Sequence, residues 1–175
     1  GGDVFNGTYT GAFSDKNVGT GKTVTITPSY TGADVGNYSV NNHADVTADI
    51  TAKALTVSGL TASNKTYDGD NTAQTTLTLS GFIGSETLNS TNTSTFNNKN
   101  VGTGKSVTVN SITLANGSND GLAANYSISP GQTTTANITA KTLTATASAS
   151  NKVYDRSANA SVTLSLSGLI GSETL

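Results

Sequence analysis

Two near-identical stretches, Val18-Gly-Thr-Gly-Lys-Thr23 and Val101-Gly-Thr-Gly-Lys-Ser106, carry the spacing that ends a phosphate-binding loop, where backbone amides cradle phosphate ahead of a helix. That chemistry also needs a glycine five residues before the second glycine of the motif, and Lys16 and Lys99 stand there instead. An alternating strand pattern follows in place of a helix, so both stretches read as glycine-rich turns leading into strands. Asp68-Gly-Asp-Asn71 offers three oxygen side chains of the kind that ligate calcium, but the corresponding Asp155-Arg-Ser-Ala158 loses two of them. The structural alternative has Asp68 and Asp155 accepting backbone hydrogen bonds in a turn, with the rings of Tyr67 and Tyr154 turned inward and their hydroxyls at the rim. Asn37-Tyr38 and Asn125-Tyr126 read in the same way, as a turn followed by the first buried residue of a strand.

Acid–base catalysis requires two positioned carboxylates, or a nucleophile with a base. The carboxylates here are few and scattered, and the lone histidine, His43, falls in a loop whose counterpart around Pro130 has none. No enzymatic activity is therefore expected, and no catalytic, cofactor or metal residue is assigned. Lys with Asn or Asp joins into an isopeptide bond in some surface domains, which makes Lys65 or Lys141 with Asn137 or Asp68 pairs to inspect. Nine Asn-x-Ser/Thr triplets occur. Asn89, Asn92 and Asn116 are the candidate glycosylation acceptors, expected to be exposed, whereas Asn37 and Asn125 adjoin a tyrosine expected to face the core.

Composition narrows the field further. Thr, Ser and Asn make up 72 of 175 residues, and only 11% are charged, against roughly 25% in ordinary globular chains. The absence of Cys excludes disulfides, thiol catalysis and cysteine metal sites, and one His forms no cluster. A formal charge of -2 argues against nucleic acid, which clustered Lys and Arg hold. No apolar run approaches the roughly 20 residues of a membrane helix, so no membrane insertion of these residues is expected, and targeting information is expected to lie elsewhere. Leu, Ile, Val and Phe total 35 of 175, near the line below which highly charged chains stay disordered, but the charge repulsion is missing.

The elements that must position these residues follow from alternation. Lys22-Thr-Val-Thr-Ile-Thr27, Thr76-Leu-Thr-Leu79, Ser106-Val-Thr-Val109 and Ser161-Val-Thr-Leu-Ser-Leu166 have a period of two, the mark of half-buried strands. The sequence also repeats. Asn64-Lys-Thr-Tyr-Asp-Gly69 returns as Asn151-Lys-Val-Tyr-Asp-Arg156, and Gly81-Phe-Ile-Gly-Ser-Glu-Thr-Leu88 as Gly168-Leu-Ile-Gly-Ser-Glu-Thr-Leu175, both 87 positions on. Phe13 to Lys22 matches Phe96 to Lys105 at 83, while Asn37-Tyr38 matches Asn125-Tyr126, and Ile50 to Lys53 matches Ile138 to Lys141, at 88. An insertion around Asn116-Gly-Ser-Asn-Asp-Gly121 explains the step of five, in a connection where length costs little. A period this long exceeds solenoid units and suffices for a core of its own. The expected fold is all-β, with tandem small Ig-like β-sandwich domains of about 87 residues. Residues 1–53 form the C-terminal part of a first repeat, 54–141 a complete one and 142–175 the N-terminal part of a third.

The order Lys65-Thr-Tyr-Asp-Gly69, Gly81 to Leu88, Phe96 to Lys105, Asn125-Tyr126, Ala136-Asn-Ile-Thr-Ala-Lys141 resembles the YDG repeat of large bacterial surface adhesins. Such repeats often accompany filamentous-haemagglutinin-type, two-partner-secretion domains. Arg156 replaces the motif glycine in the last copy, so a positive backbone angle is not expected of every copy. The resemblance implies secretion to the bacterial cell surface, tandem arrays, and a stalk or spacer that extends an adhesive domain. The absence of Cys suits export unfolded through an oxidising compartment. The alternative is that the repeats make the contact themselves, by binding host or matrix glycans or by associating with other copies in a fibre or biofilm matrix. Head-to-tail strand complementation between cut ends is one route to such a fibre. Glycan binding calls for an exposed aromatic platform, and the ten aromatic residues show none, several standing at strand or core positions.

Overall fold

The computed structural model describes residues 2–41 and 44–175, and His43, the histidine weighed for catalysis, lies outside the described residues. Apart from two single 3-10 turns, the described elements are strands. β-branched Thr and Val suit the pleat and lose rotamer freedom in a helix, so an alternating Thr-rich chain settles into sheets. Strands β1 (Asn6–Phe13), β2 (Gly19–Thr31) and β3 (Val46–Ile50) form an antiparallel sheet in that order. Strands β4 (Lys53–Ala54) and β5 (Thr56–Ala62) follow, then β6 (Lys65–Thr66), β7 (Thr72–Ala73) and β8 (Thr75–Ser80). β9 (Leu88–Phe96), β10 (Gly102–Asn116), β11 (Tyr126–Ser127) and β12 (Thr133–Thr139) come next, and β13 (Thr144–Ala149) and β14 (Val162–Ser167) close the order.

A five-stranded sheet runs β6-β12-β10-β9-β7, and separate two-stranded pairs join β5 to β8, β13 to β14 and β11 to β4. The arrangement is of the β-sandwich-like class. Contacts divide the chain into two compact units. The first holds Gly1–Leu55, Gly81–Asn89 and Leu114–Ile128; the second holds Thr56–Ser80, Ser90–Thr113 and Ser129–Leu175.

In the second unit the core is built by alternation. Phe96 of β9, Val107 and Val109 of β10, and Ala136 and Ile138 of β12 are buried, while the residues between them face outward or sit half-buried. Ala73 joins this cluster, and Ala62 and Tyr67 pack against it. The β5–β8 pair lies along β12 with Val57, Leu60, Leu77 and Leu79 half-buried. The β13–β14 pair has the same antiparallel plan but every residue is exposed.

In the first unit, β1–β2–β3 repeats the plan of β9–β10–β12 down to its irregularity. Gly19 opposes Ile50 and Lys22 opposes Ala48, with a register shift between them; Gly102 opposes Ile138 and Lys105 opposes Ala136, with the same shift. The first sheet has no counterpart of the second unit's core, and Phe13, equivalent to Phe96, is 41% exposed. Its aromatic residues gather on one another. Phe5 stacks on Tyr30 at 5.4 Å, Tyr38 meets Phe5 edge-on at 5.9 Å, and Tyr9 meets Tyr30 at 6.1 Å. With Phe5, Tyr9 and Tyr38 at least 40% exposed, an exposed aromatic surface exists where the sequence indicated none.

Candidate functional site

The glycine–lysine stretches prove to be β-bulges. Gly21 and Gly104 adopt φ of 59 and 58°, the left-handed geometry that glycine tolerates, each where the strand register shifts. The freed amides point at side chains of the neighbouring strand: Gly21 N–H donates to Asp49 Oδ1 and Gly104 N–H to Asn137 Oδ1, each at 2.8 Å. The amides a phosphate would need are thus used internally. The lysines fold back in the same way at both places. Lys22 Nζ donates to Asp15 Oδ1 at 2.5 Å and to the Asn17 carbonyl at 2.8 Å, and Lys105 Nζ to Asn98 Oδ1 at 2.6 Å. Asp15 and Asn98 also accept the amides of Asn17 and Asn100 in Asx turns. The Lys22 bond, with that turn, holds the Asp15 carboxyl below its ordinary value.

The Asp68-Gly-Asp-Asn71 turn is organised around a lysine. Lys65 Nζ lies 2.7 Å from Asp68 Oδ1 and 2.7 Å from Asp70 Oδ1, donates to the carbonyls of Asp70 and Thr72, and stands 5.9 Å from the centre of the Phe96 ring. Burial pulls the Lys65 pKa down, but the bonds to Asp68 and Asp70 outweigh it and raise the value overall. The Lys65 bond, with two from Thr72, lowers Asp70 to about 2. A charged ammonium already occupies the position a calcium ion would take, and an amine held protonated is no nucleophile for an isopeptide bond. Asn137 is committed to Gly104, and Lys141 is exposed. The copy keeps the design: Lys152 Nζ lies 2.9 Å from Asp155 Oδ1, which also accepts Ser157 N–H at 2.9 Å. Asp68 accepts Asp70 N–H at 3.2 Å.

Arg156 has φ of 62°, beside 87° for Gly69, so the left-handed angle persists after glycine is lost. This corrects the expectation that the last copy dispenses with it: the aspartate turn, closed by Lys152, imposes the backbone whichever residue follows.

The four motif tyrosines divide. Tyr67 and Tyr126 are placed as the sequence indicated, Tyr67 half-buried against the core and Tyr126 6% exposed. Tyr154 and Tyr38 are corrections. Tyr154 is 85% exposed, because residues 142–175 contribute a strand pair with no facing sheet. Tyr38 follows the turn at Asn37 but is 50% exposed and outside any strand; its hydroxyl donates to Asp3 and its ring leans on Phe5. Among the candidate acceptors, Asn89 and Asn116 are exposed, Asn89 Nδ2 donating to the Asn116 carbonyl at 2.9 Å and Asn116 Oδ1 accepting Ala123 N–H. Asn92 is half-buried, bonded to Thr75 and Ser94, and is not the exposed acceptor expected, since β9 turns it toward its neighbours.

Two places that sequence reasoning did not single out bring these motifs together. In the first unit, Lys16, Val18 and Lys53 line a cavity with Ile83, Glu86 and Tyr126. Tyr126 Oη donates to Glu86 Oε2 at 2.5 Å and accepts Ile83 N–H at 3.0 Å, and its ring meets Phe82 edge-on at 5.7 Å. Asn125 Oδ1 accepts Val18 N–H at 2.9 Å, and its Nδ2 donates to Asn17 Oδ1 at 3.0 Å. In the second unit, Val101 and Lys141 line a cavity with Tyr67, Ile170 and Glu173. Tyr67 Oη donates to Glu173 Oε1, and Lys99 Nζ lies 3.7 Å from the same oxygen. Both tyrosines are raised above the ordinary phenol value, chiefly because the bonded carboxylate opposes ionisation. The signal was available: these residues belong to the repeated motifs, but a repeat shows that positions recur and not which of them touch.

No curated protein and no solved structure matches the chain. The model of the YDG domain family matches residues 1–48 and again residues 51–136. With its matched residues carrying the bulged sheet, the lysine-held aspartate turn and the buried Asn-Tyr tyrosine, the chain belongs to the YDG domain family.

Proposed function

We propose that these residues are successive structural YDG repeats of about 87 residues, serving as a stalk or spacer in a secreted bacterial surface adhesin or fibre and extending an adhesive domain from the cell. The reading is of a structural segment and not an enzyme. One observation carries it. The side chains that the sequence offers for chemistry make the same internal bonds at both copies, Gly21 to Asp49 and Gly104 to Asn137, Lys65 to Asp68 and Lys152 to Asp155. A motif conserved in geometry and engaged in holding turns is a motif for building an element again. Neutral Thr, Ser and Asn surfaces make such a segment tolerant of salt, because few exposed charges interact.

A second reading has a specific observation in its favour. Val162, Leu164 and Leu166 of β14 and Phe13 and Val46 of the first sheet are 41–63% exposed, whereas Phe96, the equivalent of Phe13, is buried in the second unit's core and Leu77 and Leu79, the equivalents of Leu164 and Leu166, are half-buried. Faces of this kind favour association with further copies in an extracellular fibre or matrix, and the Phe5–Tyr9–Tyr38 surface is where a host or matrix glycan would stack. Electron microscopy of concentrated protein separates the readings. Short uniform particles are expected of a spacer. Long fibres with a regular axial repeat would replace it with the polymer reading.

A further inference from the structure

The two cavities present one encounter from two sides. Val18 and Val101, Lys53 and Lys141, Ile83 and Ile170, and Glu86 and Glu173 are equivalent by the sequence repeat, and each cavity contains one member of every pair. What differs is the tyrosine that reaches the glutamate. Glu86 accepts from Tyr126, the Asn-Tyr tyrosine that follows it, whereas Glu173 accepts from Tyr67, the Tyr-Asp tyrosine that precedes it. Each bond occupies one carboxylate oxygen, and the residues that would bring the second phenol to either glutamate fall outside positions 1–175.

Laid over one another by the repeat, the two views give one carboxylate receiving two phenols, one from each side. We infer that every YDG repeat carries a docking surface made by its Tyr-Asp tyrosine, its Lys-Asn-Val loop and the lysine that follows its last long strand. The partner is the Gly-x-Ile-Gly-Ser-Glu loop of the next repeat, with the glutamate as the shared acceptor that locks the two. The inference rests on the reading of these residues as successive repeats.

The chemistry suits a lock. A carboxylate has capacity for a phenol on each oxygen, and bonds to a charged acceptor are roughly twice as strong as neutral ones. The lysine of the preceding loop supplies the opposite charge, as Lys99 does to Glu173 at 3.7 Å. Beside them Val18 in one cavity and Ile170 in the other are half-buried and give the contact an apolar edge, while Ile83 and Val101 stay 56% and 54% exposed. In the first cavity Lys16 instead reaches Asp120 of the inserted loop at 3.5 Å, and Asn125 of the Asn-Tyr motif adds its two bonds to Asn17 and Val18.

The absence of cysteine makes the test clean. Spin labels at Thr20→Cys with Ser85→Cys, and in a second protein at Thr103→Cys with Ser172→Cys, sit on equivalent exposed positions flanking the two cavities. Both pairs should give narrow distance distributions with the same mean. Adding Tyr67→Phe with Glu173→Gln should abolish the narrow peak of the second pair, while the first pair, carried into the same variant, stays narrow and reports an intact fold. Different means, a broad second distribution in the parent chain, or a second peak indifferent to the double variant would each overturn the lock. The spacer reading of the same residues is tested apart from this, by particle length.

Discussion

Lys65 joins two carboxylates, two carbonyls and an aromatic ring at one turn, so its neighbours set how the turn answers to acid. Asp70 is depressed from the ordinary 3.8 to about 2, which means the folded chain binds its proton less readily than the unfolded chain. Its contribution to stability is therefore full above 3.8 and is lost as pH falls through about 2. Asp70→Asn should lower the melting temperature at neutral pH, and the gap from the parent should close across that acid window; a gap independent of pH would remove Asp70 from the account. The bulge glycines call for a different test. A Cβ at Gly104 meets nothing within 4 Å, so Gly104→Ala suffers only the left-handed backbone, roughly 1–2 kcal/mol in urea unfolding. A Cβ at Gly117 falls 2.0 Å from the Thr87 carbonyl oxygen, so Gly117→Ala should be the more damaging of the two although its φ is not positive. At this scale the sequence was readable where a side chain closes its own turn, as Asp68 and Asp155 do, and unreadable at Arg156, because composition says which residue prefers a left-handed angle and not which neighbours enforce it.

At the scale of elements, burial depends on what faces a strand more than on its own pattern. Phe96 and Phe13 occupy equivalent places beside the same Lys-Asn-Val-Gly loop, yet one is 1% exposed and the other 41%. Phe96→Ala should destabilise the second unit by about 3–5 kcal/mol, the range for emptying a packed core position. Phe13→Ala should lose far less, since its ring already meets water. Amide exchange resolved by peptide measures both, and comparable losses at the two sites would contradict the assignment of the core. Strand existence and the placement of the insertion were legible, because Thr–apolar alternation has one period and Asn116-Gly-Ser-Asn-Asp-Gly121 interrupts it. The inserted loop is less idle than a lengthened hairpin. Ser118 exchanges bonds with Thr87, and Asn119 Nδ2 donates to the Ser85 carbonyl at 2.9 Å. The step of the repeat from 88 to 87 positions was also opaque in the sequence. β5 carries a one-residue bulge between Val57 and Gly59 that pairing of β13 with β14 lacks, and a single extra residue inside an alternating strand leaves no turn signal behind.

For the molecule as a whole, the exposed faces set what concentrated solutions should contain. Ala147 opposes Leu164 and Ala145 opposes Leu166 in the β13–β14 pair, as Leu60 opposes Leu77 and Val57 opposes Leu79 in β5–β8. The second pair lies along β12 with its leucines half-covered; the first leaves Leu164 63% and Leu166 42% exposed. Phe13 of β1 is uncovered where Phe96, its equivalent in the second unit, is buried, and Val46 of β3 is 50% exposed. Apolar area left in water gains roughly 25 cal/mol per Å² when covered, so on the association reading a second copy would place its strand pair on this sheet as concentration rises. Sedimentation equilibrium should then give a weight-average mass that climbs above 17.6 kDa with concentration. Leu164→Asp should hold the mass at the single-chain value with an unchanged circular dichroism spectrum, because a residue already facing solvent takes a charge with little effect on its own fold. A single-chain mass at every concentration, or association undiminished by Leu164→Asp, would mean that these faces do not bind one another and would leave the spacer reading without its competitor.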